Sequence, residues 1–222
     1  MKLTQSFQRA AAVLCTAAVL ICGVPALAAS PADVPAPAAI SVSNAASEAQ
    51  LRSALSKLTV SFDSDADGWE IDSPYEDASM EKGSCGLYPY LFLSKEDSTV
   101  YISLGISYLG EQKLDMKSIQ VETEDAYYNF SCDEEYTGFR DKDSGLWFDY
   151  EIFDMDDSSE WFTEWLNAKS VVATFTGKDG TTKTYTLTKN NLLAIRDILN
   201  AYDTLADSEV STAVRVLDSL CK

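Results

Sequence analysis

Val100-Tyr101-Ile102-Ser103-Leu104-Gly105-Ile106-Ser107-Tyr108 sets an apolar side chain at every second position, with Tyr101, Ser103, Gly105 and Ser107 between them. Successive side chains of a strand point to opposite faces, so this alternation predicts a β-strand with one dry face. The same period recurs on both sides of it. Residues 117–123 and 126–132 carry strand patterns around Glu124-Asp125, the spacing of a tight hairpin. Leu146, Phe148, Tyr150 and Ile152 alternate with Trp147, Asp149 and Glu151, which predicts a strand with the first set on its dry face and the second on its polar face. Residues 170–176 and 181–187 flank Gly177-Lys178-Asp179-Gly180, where Asp-Gly supplies the positive φ that hairpin turns require.

Helical spacing appears at the ends of this strand-rich region. Thr188 is a good N-cap for a stripe of Leu192, Ile195, Ile198, Leu199 and Tyr202, and Val210, Val214, Leu217 and Cys221 form another stripe after it. Residues 47–58 and 158–168 read as short helices, with Asp156-Asp157-Ser158 capping the second. The expected fold class is therefore α+β, mainly an antiparallel β-sheet or β-sandwich with C-terminal helices packed on one face or edge.

Composition narrows the function. The 222 residues suit one domain, and 46% hydrophobic content is enough for a core. No histidine is present, which excludes Ser-His-Asp and Cys-His nucleophile arrangements, His-bearing zinc sites and His-ligated haem. Seventeen basic against 35 acidic residues give a net charge of −18, a field that repels nucleic acid.

Residues 1–28 read as a signal peptide: Lys2 and Arg9, an apolar run from Ala10 to Val24, then Ala26-Leu27-Ala28 as a small-x-small cleavage site. Residues 29–45 form an Ala/Pro-rich spacer, and 46–222 a single β-rich domain with C-terminal helices. The expected product is secreted or associated with the cell envelope, with no membrane span after cleavage. Of its three cysteines, Cys85 and Cys132 both abut expected strands, which permits a bridge between them and leaves Cys221 over; three reduced cysteines packed as small hydrophobes is the other reading.

The sharpest chemical motif is Asp63-Ser64-Asp65-Ala66-Asp67-Gly68. Asp63, Asp65 and Asp67 on alternate residues of a tight loop can converge on one hard cation, with calcium the expected ion; a solvated acidic turn is the competing reading. The run resembles the first half of an EF-hand loop, but Pro74 stands at the twelfth position, where an EF-hand places its bidentate glutamate. Together with Val60-Ser61-Phe62 before it and Trp69-Glu70 after it, the stretch also resembles the opening strand of some carbohydrate-binding jelly rolls. That resemblance implies structural calcium and aromatic platforms that stack on sugar rings. Tyr75, Tyr88, Tyr90, Tyr127, Trp147, Trp161 and Trp165 are the available aromatics, and core packing is the expected fate of most of them. Tyr127 and Trp147 sit on the polar phase of their strands and are the expected exposed, ligand-binding pair.

Asp154, Asp156, Asp157, Glu160 and Glu164 cluster in sequence, and paired acids such as Glu160 and Glu164 are the raw material of a small secreted hydrolase. No spacing sets two of them across a cleft. The order of parts resembles that of uncharacterised exported proteins of Gram-positive bacteria, in which a spacer precedes a strand-rich domain closed by a helix. The leading expectation is an acidic binding module for a protein or glycan at the cell surface, stabilised by calcium, with the hydrolase as the alternative.

Overall fold

The period-2 segments pair into ten strands, and the 3.6-period stripes form four helices. In the computed structural model the described residues are 45–75, 84–133 and 138–221. The expected signal peptide and, apart from Ala45, the expected spacer lie outside them. The strands are β1 (Thr59–Asp63), β2 (Gly68–Asp72), β3 (Ser84–Ser94), β4 (Val100–Gly110), β5 (Met116–Glu122), β6 (Tyr127–Ser131), β7 (Phe139–Arg140), β8 (Trp147–Asp154), β9 (Val172–Gly177) and β10 (Thr182–Thr186). The helices are α1 (Glu48–Leu55), α2 (Glu160–Asn167), α3 (Lys189–Ala206) and α4 (Val210–Leu220).

Two antiparallel sheets result, one of six strands in the order β1-β2-β3-β4-β8-β7 and one of four in the order β10-β9-β5-β6. The fold is α+β, as the alternation predicts. Trp69, Ile71, Leu91, Leu104 and Ile106 of the six-stranded sheet join Ile119, Val121, Ala173 and Phe175 of the other, together with the buried stripes of the helices, in one hydrophobic core. Helix α3 packs on β3 and β4, α1 on α3 and α4, and α4 reaches β1. The Trp69 indole N–H donates to the Asp218 carboxylate of α4 at 3.2 Å, which fixes that helix to the sheet. None of the described helices is long and apolar enough to cross a membrane.

Local chemistry accounts for the junctions. Thr188 and Asn191 form a reciprocal capping box at the start of α3, and Ser47 and Gln50 do the same for α1. In the β9–β10 hairpin only Gly180 takes positive φ, at +85°. The Asp179 carboxylate accepts from the Thr181 amide at 2.8 Å, so this is the longer hairpin form with a single left-handed glycine rather than a two-residue turn. Pro89 stands in the middle of β3 but beyond the Leu91–Ser94 stretch that pairs with β2, so its missing N–H breaks no ladder on that side.

Three expectations are corrected. The Cys85–Cys132 bridge is absent: Cys85 belongs to the six-stranded sheet, Cys132 follows β6 of the other, and both thiols are free, as is that of Cys221. Burial pushes Cys85 up to about 11 and Cys132 up to about 12, so both stay protonated and unreactive. Asp156 does not cap α2. Its carboxylate accepts instead from the Ile102 amide of β4 at 2.7 Å, and the N-cap of α2 is Ser159, which makes no side-chain capping bond. The phase of β8 is inverted as well: Asp149 is fully buried, while Phe148, Tyr150 and Ile152 lie half-buried on the sheet's outer face.

Candidate functional site

Alternation along β5, β6, β9 and β10 turns Ile119, Val121, Tyr128, Phe130, Ala173 and Phe175 inward and every second residue the other way, except at the Met116–Ser118 bulge of β5, where Lys117 is exposed beside Ser118. Register then stacks the outward residues into three rows across the sheet. These are Ser131-Ser118-Thr176-Thr182, Asn129-Gln120-Thr174-Thr184 and Tyr127-Glu122-Val172-Thr186. Twelve side chains make up these rows, and Glu122 is the only charged one among them. Threonine suits this position because its β-branch favours strands and its hydroxyl tolerates water. Strand spacing makes the face about 14 Å in each direction.

The charged residues stand at its rim. At the Tyr127 end the β5–β6 hairpin carries Glu124 and Asp125, closed by the Thr123 hydroxyl, which accepts from the Ala126 amide at 3.1 Å. Glu124 receives the Lys169 amide on both carboxylate oxygens, at 3.1 Å each, and this bond and the lysine's charge hold its pKa below the usual glutamate range. At the other end lie Lys178 and Asp179 of the β9–β10 turn and the exposed Lys117 at the β5 bulge. Tyr127 occupies one corner and is 68% exposed, the most exposed large hydrophobic side chain among the described residues.

Trp147 is not its neighbour. It starts β8 of the other sheet, on the inner phase, half-buried, with the Lys113 ammonium 5.3 Å from its ring centre. The expected pair is thus two separate residues, of which only Tyr127 stands on an open face. Trp161 and Trp165 pack in the core against Tyr128 and Phe130, and Tyr90 is buried on the six-stranded sheet. The outer face of that sheet holds a row of rings, Tyr88-Tyr150-Phe148-Phe139, with neighbouring centroids 5.3 to 6.3 Å apart. Tyr88 lies flat over Gly105, where a Cβ would sit 2.3 Å from the ring. These rings satisfy one another, and only Phe139 is substantially exposed.

Asp63, Asp65 and Asp67 fall in the β1–β2 turn. The Asp63 carboxylate accepts from the Asp65 and Ala66 amides at 2.8 and 3.1 Å, and Asp67 faces the Lys95 ammonium at 3.6 Å. Two of the three carboxylates are therefore engaged by the turn itself and by a lysine. Among the described residues no group of three or more carboxylate or cysteine side chains is placed to hold a metal ion. This geometry favours the solvated-turn reading, and the expected result is a melting temperature equal in millimolar calcium and in chelator. A calcium-dependent rise abolished by Asp65→Ala would restore the metal site.

Glu160 and Glu164 stand one turn apart on the same face of α2 rather than across a cleft. Glu164 accepts from the Tyr128 hydroxyl, and burial together with this bond pushes Tyr128 up to about 12. Sequence reasoning placed no weight on Asp149. Its Oδ1 accepts from the Met116 amide at 3.2 Å, and Gly138 packs so closely that a Cβ there would meet the carboxylate at 2.7 Å. Burial pushes its pKa up. The contact ties β8 of one sheet to the start of β5 in the other, which is a structural duty. No family model, no curated protein and no solved structure matches this chain.

Proposed function

We propose that the domain is an exported carbohydrate-binding module, working at the cell surface or in the envelope, and that the outer face of the four-stranded sheet is where it binds. The observation that carries this reading is the near-neutrality of that face in a chain of net charge −18: of the twelve side chains in its three rows eleven are uncharged, and Lys117 stands exposed at the β5 bulge beside the Ser118 row. Threonine and serine hydroxyls and the amides of Gln120 and Asn129 both donate and accept hydrogen bonds, as sugar hydroxyls do. Tyr127 adds an exposed ring for the apolar face of a sugar. A protein partner would need apolar, aromatic or arginine anchors near the centre of the patch, and here the centre is Gln120 and Thr174.

Tyr127→Ala is the direct test. Because the ring is exposed, the melting temperature should stay within the effect of an ordinary surface change, about 0.5 kcal/mol. Retention on a panel of immobilised polysaccharides should fall. Unchanged retention of the variant on every polysaccharide that holds the parent would refute the assignment of this face.

A further inference from the structure

We infer that the ligand is an uncharged, β-linked polysaccharide chain lying across the strands, at right angles to them, along the row Asn129-Gln120-Thr174-Thr184; this rests on the carbohydrate reading above. The first reason is spacing. Neighbouring strands are about 4.8 Å apart, close to the rise per sugar of an extended β-linked pyranose chain, whereas outward residues along one strand recur only every ~6.8 Å. A chain laid across the sheet meets one hydrogen-bonding side chain for each sugar, four in succession, drawn from β6, β5, β9 and β10 in that order. A chain laid along a strand falls out of step after two.

The second reason is charge. That row and the Ser131-Ser118-Thr176-Thr182 row contain no charged side chain, and the one carboxylate of the three rows, Glu122, stands next to Tyr127. An anionic chain in the middle row would meet this carboxylate on one side, with Glu124 and Asp125 beyond it, and would have no lysine or arginine within the row to pair with, since the exposed Lys117 stands at the β5 bulge past the Ser118 row. A cationic chain would find one partner rather than a row of them. The third reason is the middle row's chemistry: two amides and two hydroxyls, each able to donate and accept in turn along the polymer.

Affinity electrophoresis of the full chain tests this with three soluble polymers: hydroxyethylcellulose, its charged analogue carboxymethylcellulose, and the α-linked glucan dextran. Hydroxyethylcellulose should retard the protein, and the other two should not. Thr174→Val and Thr184→Val preserve shape and strand preference while deleting one hydroxyl each, and either should weaken retardation about fivefold, the loss of one uncharged hydrogen bond. Thr184 is exposed on the edge strand, so its variant reports on binding even if the central one perturbs folding. Retardation by dextran but not hydroxyethylcellulose would overturn the linkage and leave the carbohydrate reading standing. Equal retardation by carboxymethylcellulose would overturn the neutrality. Loss of binding in Tyr127→Ala with none in the two threonine variants would overturn the row. No retardation of the parent protein by any polymer would overturn the inference together with the reading beneath it.

Discussion

Asn191→Ala should lower the unfolding free energy by about 3 kcal/mol, measured by urea unfolding followed through tryptophan fluorescence, with the denaturant slope unchanged. The side chain is 2% exposed and is reached from three elements. Its Oδ1 accepts from the amide and the hydroxyl of Thr188, both at 2.8 Å, and from the Tyr185 hydroxyl of β10 at 2.6 Å; its Nδ2 donates to the Leu87 carbonyl of β3 at 3.2 Å. Truncation removes one half of the α3 capping box, worth about 1 kcal/mol, and strands a buried carbonyl and hydroxyl, worth about 1–3 kcal/mol. One residue therefore joins the six-stranded sheet, the four-stranded sheet and the longest helix. Asn200→Ala, at an exposed position of the same helix, is the control and should cost less than 1 kcal/mol. A loss at Asn191 no larger than the control's would show that these bonds do not hold the sheets together.

The elements whose two faces differ in polarity were legible from period alone, which is why β4, β5, β6, β9, β10 and both C-terminal helices stand close to where alternation and helical spacing set them, although the small-residue face of β4 is covered by Tyr88 and its neighbours and is not wet. β3 was not. Gly86-Leu87-Tyr88-Pro89-Tyr90-Leu91-Phe92-Leu93 is apolar or aromatic in both phases, so period 2 carries no contrast, and a proline at its centre argues against a strand unless the neighbouring ladder stops short. The phase of β8 was misjudged for a related reason. Both of its faces carry aromatic or apolar residues, and which one turns inward depends on a tertiary fact, the amide of Met116 waiting for the Asp149 carboxylate. That one inversion also explains why Tyr127 and Trp147 fared differently. Each was singled out for sitting on the polar phase, and the phase was right for β6 and reversed for β8. The face was invisible at the sequence level because its rows join β6, β5, β9 and β10, which sets β5 beside β9, far from it in the chain. Threonines in single strands read only as good strand formers until pairing brings them side by side.

Stability should be highest in mild acid and should fall as pH rises from about 4 to about 7, with Asp72 the largest single source. Burial, with the Glu70 charge beside it, pushes Asp72 from an ordinary aspartate value of 3.8 up to about 7. A group raised on folding binds its proton more tightly in the native state, so it contributes most below its unfolded value and loses that contribution as pH climbs to the folded one. For Asp72 the loss is on the order of 2 kcal/mol, after allowing for the solvent contact it keeps. Asp149, Glu151 and Asp156 are also raised, each mainly by burial, and add to the same slope. The carboxylates that are lowered, Glu48, Asp97, Glu124, Asp141 and Asp179, are held by turn amides, hydroxyls or arginines, and their contributions are lost only as pH falls below the ordinary carboxylate range. The two sets therefore act in different windows, and between pH 4.5 and 7 the raised set decides the sign. Relief of self-repulsion as acids protonate works in the same direction. Melting temperatures recorded from pH 4 to 8 should show the decline, and Asp72→Asn, which cannot ionise, should flatten it and melt higher than the parent at pH 8. Parallel curves for parent and variant across that range would mean that Asp72 is ionised in the folded protein at neutral pH without cost, and that the acid-side stability comes from the other three carboxylates or from net charge alone.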